Sequence, residues 1–136
     1  LIAASDTYVN SKIGEHIANK AKDCEGIISV ADLPGDRWSF AKTDENGRVV
    51  EVAEKVKISN HASTGLYYFS DVDYFTNQAT QLIESKETTK GEYYVMPLYA
   101  KYIAQGKSIA INEADEMWDM GTPEAKQAFE NYLNQQ

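Results

Sequence analysis

The stretch WSFAKTDENGRVVEVAEK, residues 38–55, decides the reading of the chain. Apolar and polar side chains alternate on both sides of Asp44, Glu45, Asn46 and Gly47. Alternation at period two is the mark of a strand. Asp and Asn bond their own backbone in turns, and Gly accepts positive φ without a Cβ clash. The spacing therefore predicts a β-hairpin, with strands over 38–43 and 48–55.

Working outward, IISVA at 27–31 reads as a strand and LPGD at 33–36 as a turn. Residues 11–23 carry Ile13, Ile17 and Ala21 at every fourth position, which predicts a helix. LIAAS at the start reads as a short buried strand ending at Asp6. Downstream, TGLYYF at 64–69 is a further strand. A helix is expected over 72–85, with Phe75, Ala79, Leu82 and Ile83 on one face. Residues 91–95 fit no single class. MPLYAKYIAQG reads as a helix closed by Gly106, and SIAIN as the last strand. A loop carrying Asp119 is then expected, and a terminal helix. Thr122 can cap that helix, Pro123 suits its first position, and Glu124 suits its positive end. Ala125, Ala128, Phe129, Tyr132 and Leu133 give it one apolar stripe. Strands alternating with helices, with an antiparallel hairpin among them, predict a layered α/β fold: a mixed sheet flanked by helices, as one domain over 1–136.

The chain has 136 residues, a formal net charge of −8, and 43% hydrophobic residues. That charge disfavours nucleic acid and anionic membrane as partners, since both call for basic faces. An acidic protein can still handle phosphorylated substrates through a divalent cation, whose charge dominates its surroundings. No apolar run approaches the ~20 residues of a membrane span. The single cysteine, Cys24, has no partner in the chain, so nothing points to an oxidising compartment and a cytoplasmic setting is expected. The opening LIAAS, with no methionine and no signal-peptide pattern, suggests a piece of something longer or a processed product.

Some residues invite chemistry. Asp6 follows a strand, where it reads as a turn or cap residue on position alone, or as an acid placed to hold a hard cation. Asp119 sits between Trp118 and Met120, either bonding nearby amides or aimed at a cation. Glu54 and Lys55 end the hairpin, as surface charge or as a hydroxyl-binding acid beside a phosphate-binding ammonium. In GEYYVMPLY, aromatics with a few polar groups suit a carbohydrate or nucleoside, or simply pack. His16 and His61 stand alone and read as surface residues. The DVD at 71–73 has the form of a glycosyltransferase metal motif, but it opens a helix, where acids are expected from the dipole.

Taken in order, these segments resemble the sugar nucleotidyltransferase family, the nucleotide-sugar pyrophosphorylases. LIAASDTYV resembles the strand ending in that family's metal-binding aspartate. RWSFAKTDENGRVVEVAEK resembles its sugar-site hairpin with a terminal Glu-Lys pair. ASTGLYYF and GEYYVMPLYAKYIAQGK resemble the following strand and sugar-side segment. EMWDMGTPEAKQAF resembles the closing motif, whose aspartate is the second metal ligand. The resemblance implies a nucleotide-diphospho-sugar transferase (Rossmann-like) fold, incomplete here. It implies that Asp6 and Asp119 share one Mg²⁺, which would bridge a nucleoside triphosphate and a sugar 1-phosphate. Glu54 would bind sugar hydroxyls and Lys55 the sugar phosphate. Trp38 and Ser39 would approach the sugar, Glu92 and Met96 would belong to the sugar side, and Trp118 would lie beside the second metal acid.

The family's glycine-rich, base-reading loop and the lysine after it are not found here. Roughly a hundred residues, an ordinary domain's worth, would be missing. The expectation is a C-terminal, sugar-binding part of an enzyme, inactive alone, or a non-catalytic sugar-phosphate-binding or regulatory module of the same fold. An exposed apolar sheet edge is also expected, covered by a second copy of the chain or removed by rearranged strands.

Overall fold

The computed structural model describes residues 1–136. Its elements, in chain order, are β1 (Ile2–Ala3), β2 (Thr7–Asn10), α1 (Ile13–Asn19), β3 (Cys24–Ala31), β4 (Ser39–Thr43), β5 (Val49–Glu54), β6 (Ala62–Phe69), α2 (Val72–Glu84), α3 (Met96–Ala104), β7 (Ser108–Glu113), β8 (Glu116–Asp119) and α4 (Pro123–Asn134). The main sheet runs β5-β4-β6-β3-β7, with β1 also pairing with β6. β3 and β7 are parallel and the other ladders antiparallel, so the sheet is mixed as expected. No helix is long and apolar enough to cross a membrane.

The run Ile27-Ile28 explains the layering. Both residues are fully buried, and they point to opposite faces of the central strand. Ile28 joins Val30, Ala41, Val49, Ile109 and the α3 residues Met96, Tyr99 and Tyr102. Ile27 joins Ile13 of α1 and Cys24 on the other face. A strand covered on both faces reads as a continuous apolar run. Cutting Ile28 back to Ala would cost about 2–5 kcal/mol at such a site.

The hairpin forms as expected: Ser39 pairs with Glu54, Phe40 with Ala53 and Ala41 with Val52. Asp44 Oδ1 accepts from the amides of Asn46 and Arg48, which fixes the turn. Asp71 is the N-cap of α2 and accepts from Tyr74 N, so its acid serves the helix. Gly106 closes α3 at φ 76°, a conformation that favours glycine. Thr122 caps α4 by accepting from Ala125 N at 3.1 Å. On α4, Phe129 is buried, whereas Leu133 is 52% exposed and Ala128 is exposed, so the apolar stripe is narrower than its spacing suggested.

Several expectations need correction. LIAAS is not a buried strand. Only Ile2 and Ala3 are extended, Leu1 is 67% exposed, and Ala3, Ala4 and Ser5 are exposed. β1 pairs with β6 alone, which leaves its other edge unpaired. Leu1 and Ile2, with Phe69, Val72 and Phe75, border a small apolar cavity there. The first helix spans Ile13–Asn19 instead of 11–23. Asp119 lies in no loop: it ends β8, which pairs with β2 as a separate two-stranded ribbon. His16 and His61 are half-buried, and His16 Nδ1 lies 3.3 Å from Asn112 Nδ2.

Candidate functional site

The β2-β8 ribbon builds the site. Its register sets Thr7 opposite Asp119, Tyr8 opposite Trp118 and Val9 opposite Met117. The backbone pairing continues one step, with Met120 N donating to Asp6 O at 2.8 Å. Asp6 and Asp119, far apart in sequence, are therefore brought together by a ladder of backbone hydrogen bonds. A Cβ added at Gly121 would lie 3.0 Å from Asp6 Oδ2 and 3.1 Å from Asp119 Oδ1. The two carboxylates thus flank one small space, kept open because residue 121 has no side chain.

Alternation along the ribbon sorts the other side chains. Met117 and Asp119 face a cavity of about 310 Å³. Trp118 faces away and packs on α4, 4.7 Å from the Tyr132 ring centroid and 5.5 Å from that of Phe129. Its Nε1 donates to Glu116. Trp118 is adjacent to the second acid in sequence but lies outside the cavity.

The hairpin end forms the opposite wall. Trp38, Ser39, Glu54 and Lys55 all line the same cavity as Asp6 and Asp119. Strict alternation would send Glu54 and Lys55 to opposite faces. Both reach the cavity because Lys55 leaves the strand with φ 62°. For a lysine that conformation is sparse and costs of order 1 kcal/mol or more, and such strain gathers at functional sites. It is held by Lys55 N donating to Trp38 O at 3.0 Å and Lys55 Nζ donating to Arg37 O at 2.7 Å. The Glu54 side chain is only 5% exposed, with Lys55 Nζ at 3.6 Å from Oε1.

Two of the residues expected on a sugar side stand apart. Met96 is buried at the start of α3, in the main core. Glu92 is exposed and accepts from Tyr94 Oη at 2.8 Å, and Tyr94 is the member of that segment that lines the cavity. The hydrogen bond to Glu92 raises the Tyr94 pKa above its ordinary value.

Other lining residues were assigned no individual role from sequence. Tyr67 and Ser63 form part of the floor, where Ser63 Oγ donates to Tyr67 Oη at 2.8 Å. Burial pushes the Tyr67 hydroxyl up, and the charge of Glu54 adds to this against hydrogen bonds from Ser63 and Ser39. Arg37 follows the 33–36 turn and was given no role of its own from sequence, yet its Nη2 donates to Asp119 Oδ2 at 2.7 Å. Burial pushes the Asp119 carboxyl up, but the hydrogen bond and charge of Arg37 and the amides of Gly121 and Met120 outweigh it and hold it below the usual carboxylate value.

In fold, the chain is a mixed β-sheet flanked by helices. It is similar to a nucleoside-diphosphate-sugar pyrophosphorylase from Vibrio cholerae RC9, at 30% identity over 91% of this chain and 52% of that one, with a TM-score of 0.74. It shares its fold with a protein of Bacillus anthracis assigned as a glucose-1-phosphate thymidylyltransferase and solved in complex with a sucrose, at 22% identity over 90% of this chain and 49% of that one, with a TM-score of 0.66. No curated protein sequence matches the chain. The family model described as Nucleotidyl transferase matches residues 1–135, and the chain belongs to that family. It spans about half the length of the solved relatives it matches.

Proposed function

We propose that this chain supplies the sugar-phosphate side and the cation-binding acids of a sugar-1-phosphate nucleotidyltransferase. The reaction would join a nucleoside triphosphate and a sugar 1-phosphate into a nucleoside-diphosphate sugar, releasing pyrophosphate. A phosphate oxygen of the sugar phosphate attacks the α-phosphorus in line, and pyrophosphate carries away the bonding pair. One observation carries this reading: the two acids at the ribbon's end and the Glu-Lys pair at the hairpin's end open on the same cavity.

The donor set suits Mg²⁺, which takes one or two carboxylates and fills its other positions with water and phosphate oxygens. Asp6 and Asp119 would hold it beside Gly121, where the missing side chain leaves room between the carboxylates. When bound, the ion supplies neutralisation of phosphate charge and polarisation of the phosphoryl group. The chain's own contribution is positioning. Glu54, oriented by Ser39, accepts from sugar hydroxyls, and Lys55 pairs with the sugar phosphate. Such a protein would work in nucleotide-sugar supply for polysaccharide synthesis, in the cytoplasm.

A second reading, a non-catalytic sugar-phosphate-binding module, draws on one observation. Asp119 already carries a cation partner in Arg37. Pyrophosphate release separates the two readings. It is measured over several triphosphates and sugar 1-phosphates, with this chain alone and with a longer natural protein containing it. Turnover by the longer protein and none by the chain is expected. Turnover by the chain alone overturns its inactivity. No turnover by a folded longer protein favours the module.

A further inference from the structure

Asp119 is tied on both oxygens: Oδ2 accepts from Arg37 and Oδ1 from Gly121 N at 2.9 Å. Asp6, on the other side of Gly121, forms no ion pair. The Arg37 backbone is anchored through its carbonyl by Lys55 Nζ. Its guanidinium lies 3.9 Å from the Trp38 ring centroid, and its side chain remains 54% exposed. Arg37 is thus hinged at a fixed backbone, with a long stem and an open rim.

A guanidinium does not lose its proton in proteins, so Arg37 cannot release Asp119 by titrating. Another cation can displace it. An ion between the two acids would bond Asp119 Oδ1 at about 2.1 Å, and the guanidinium held on Oδ2 of the same carboxylate would then lie roughly 5–7 Å from it, a range at which like charges repel. We propose that Arg37 is a displaceable counter-ion of Asp119 and, once displaced, a phosphate-binding residue of the same cavity. The inference rests on reading Asp6 and Asp119 as cation ligands. Its chemistry follows from the planar fork of arginine, which matches carboxylate and phosphate oxygens alike. With no cation bound, Arg37 neutralises Asp119. With a cation bound, the same guanidinium turns to phosphate beside Lys55, which already faces the cavity.

The test uses the 136-residue chain. Mn²⁺ binding is followed by the free-ion electron paramagnetic resonance signal in wild type, Arg37→Gln and Asp119→Asn. Removing an exposed ion partner should tighten Mn²⁺ binding in Arg37→Gln by about two- to fivefold. Asp119→Asn should lose most of it. Inorganic phosphate is then titrated calorimetrically with and without saturating Mn²⁺. Wild type should gain phosphate affinity with Mn²⁺ by a larger factor than Arg37→Gln. Equal or weaker Mn²⁺ binding by Arg37→Gln overturns the inference, and so does an equal phosphate gain in both proteins. If binding depends on Asp119 but not on Arg37, this inference falls and the cation reading stands. If neither wild type nor Arg37→Gln binds Mn²⁺, both fall. Binding by Arg37→Gln alone supports the inference.

Discussion

Ser39 and Glu54 are cross-strand partners in the β4-β5 ladder, and the Ser39 hydroxyl donates to Glu54 Oε2 at 2.5 Å. This bond fixes the one nearly buried carboxylate of the cavity. In Ser39→Ala that oxygen loses its donor while staying shielded from water, a loss of about 1–3 kcal/mol in stability. Under the proposed function, sugar 1-phosphate binding, followed by calorimetry, should weaken as the carboxylate loses its orientation. Ser39→Thr keeps the hydroxyl and should restore much of both. Full-strength binding by Ser39→Ala would show that Glu54 is held by other contacts.

Gly121 gives a sharper test of the paired acids. A methyl group there would meet carboxylate oxygens at 3.0 and 3.1 Å, so the acids must part or tilt. Gly121→Ala should therefore lower Mn²⁺ affinity by roughly tenfold, about 1.4 kcal/mol. Its effect on the urea midpoint should be small, since both carboxylates are side-chain ends near the surface. A variant that binds Mn²⁺ as well as wild type would place the cation elsewhere.

The hairpin, the capped helices and the central apolar strand were legible because each is a local pattern. Asp44 and Gly47 specify a turn, and Thr122 with Pro123 specifies a helix start, whatever surrounds them. The β2-β8 ribbon was not legible. Its strands are four residues each and come from opposite ends of the chain, so no window contains both. Asp6 and Asp119 were therefore named as candidates without the backbone ladder that joins them. Arg37 escaped for the same reason: its partner lies 82 residues away. Met96 and Trp118 were drawn toward the site by their neighbours in sequence. Helical packing turns Met96 into the core, and strand alternation turns Trp118 onto α4.

Gly65 couples the sheet to the segment carrying Asp6. It has φ 91° within β6, where the pairing with β3 shifts register, and a Cβ there would lie 2.8 Å from Ala4 Cβ. Its carbonyl accepts from Ala4 N at 2.9 Å. Gly65→Ala combines an unfavourable φ with a clash, and should cost about 1–3 kcal/mol in urea unfolding. Displacing Ala4 should also shift Asp6, so Mn²⁺ affinity should fall with stability. Unchanged stability would mean that Ala4 moves aside freely and that this segment is not fixed by β6.

Tyr102 predicts how the fold responds to alkali. Its ring is buried against Phe69, Tyr74 and Tyr99, and no protein group lies within hydrogen-bonding distance of its hydroxyl. Burial, followed by the charges of Tyr74, Glu25 and Asp71, pushes its pKa up to about 12. An unfolded tyrosine titrates near ~10, so the unfolded chain releases this proton first. The stabilising contribution of the neutral hydroxyl is complete below that value and is lost as pH rises through about 12. Tyr102→Phe removes a hydroxyl that has no partner, so stability at neutral pH should hold or rise by up to about 1 kcal/mol. Its stability should then fall less steeply than wild type above about pH 10. Some decline should persist, because burial also raises Tyr99 well above its ordinary value. Urea midpoints collected from neutral to strongly alkaline pH measure the difference. Parallel curves for the two proteins would mean that the Tyr102 hydroxyl reaches solvent in the folded state.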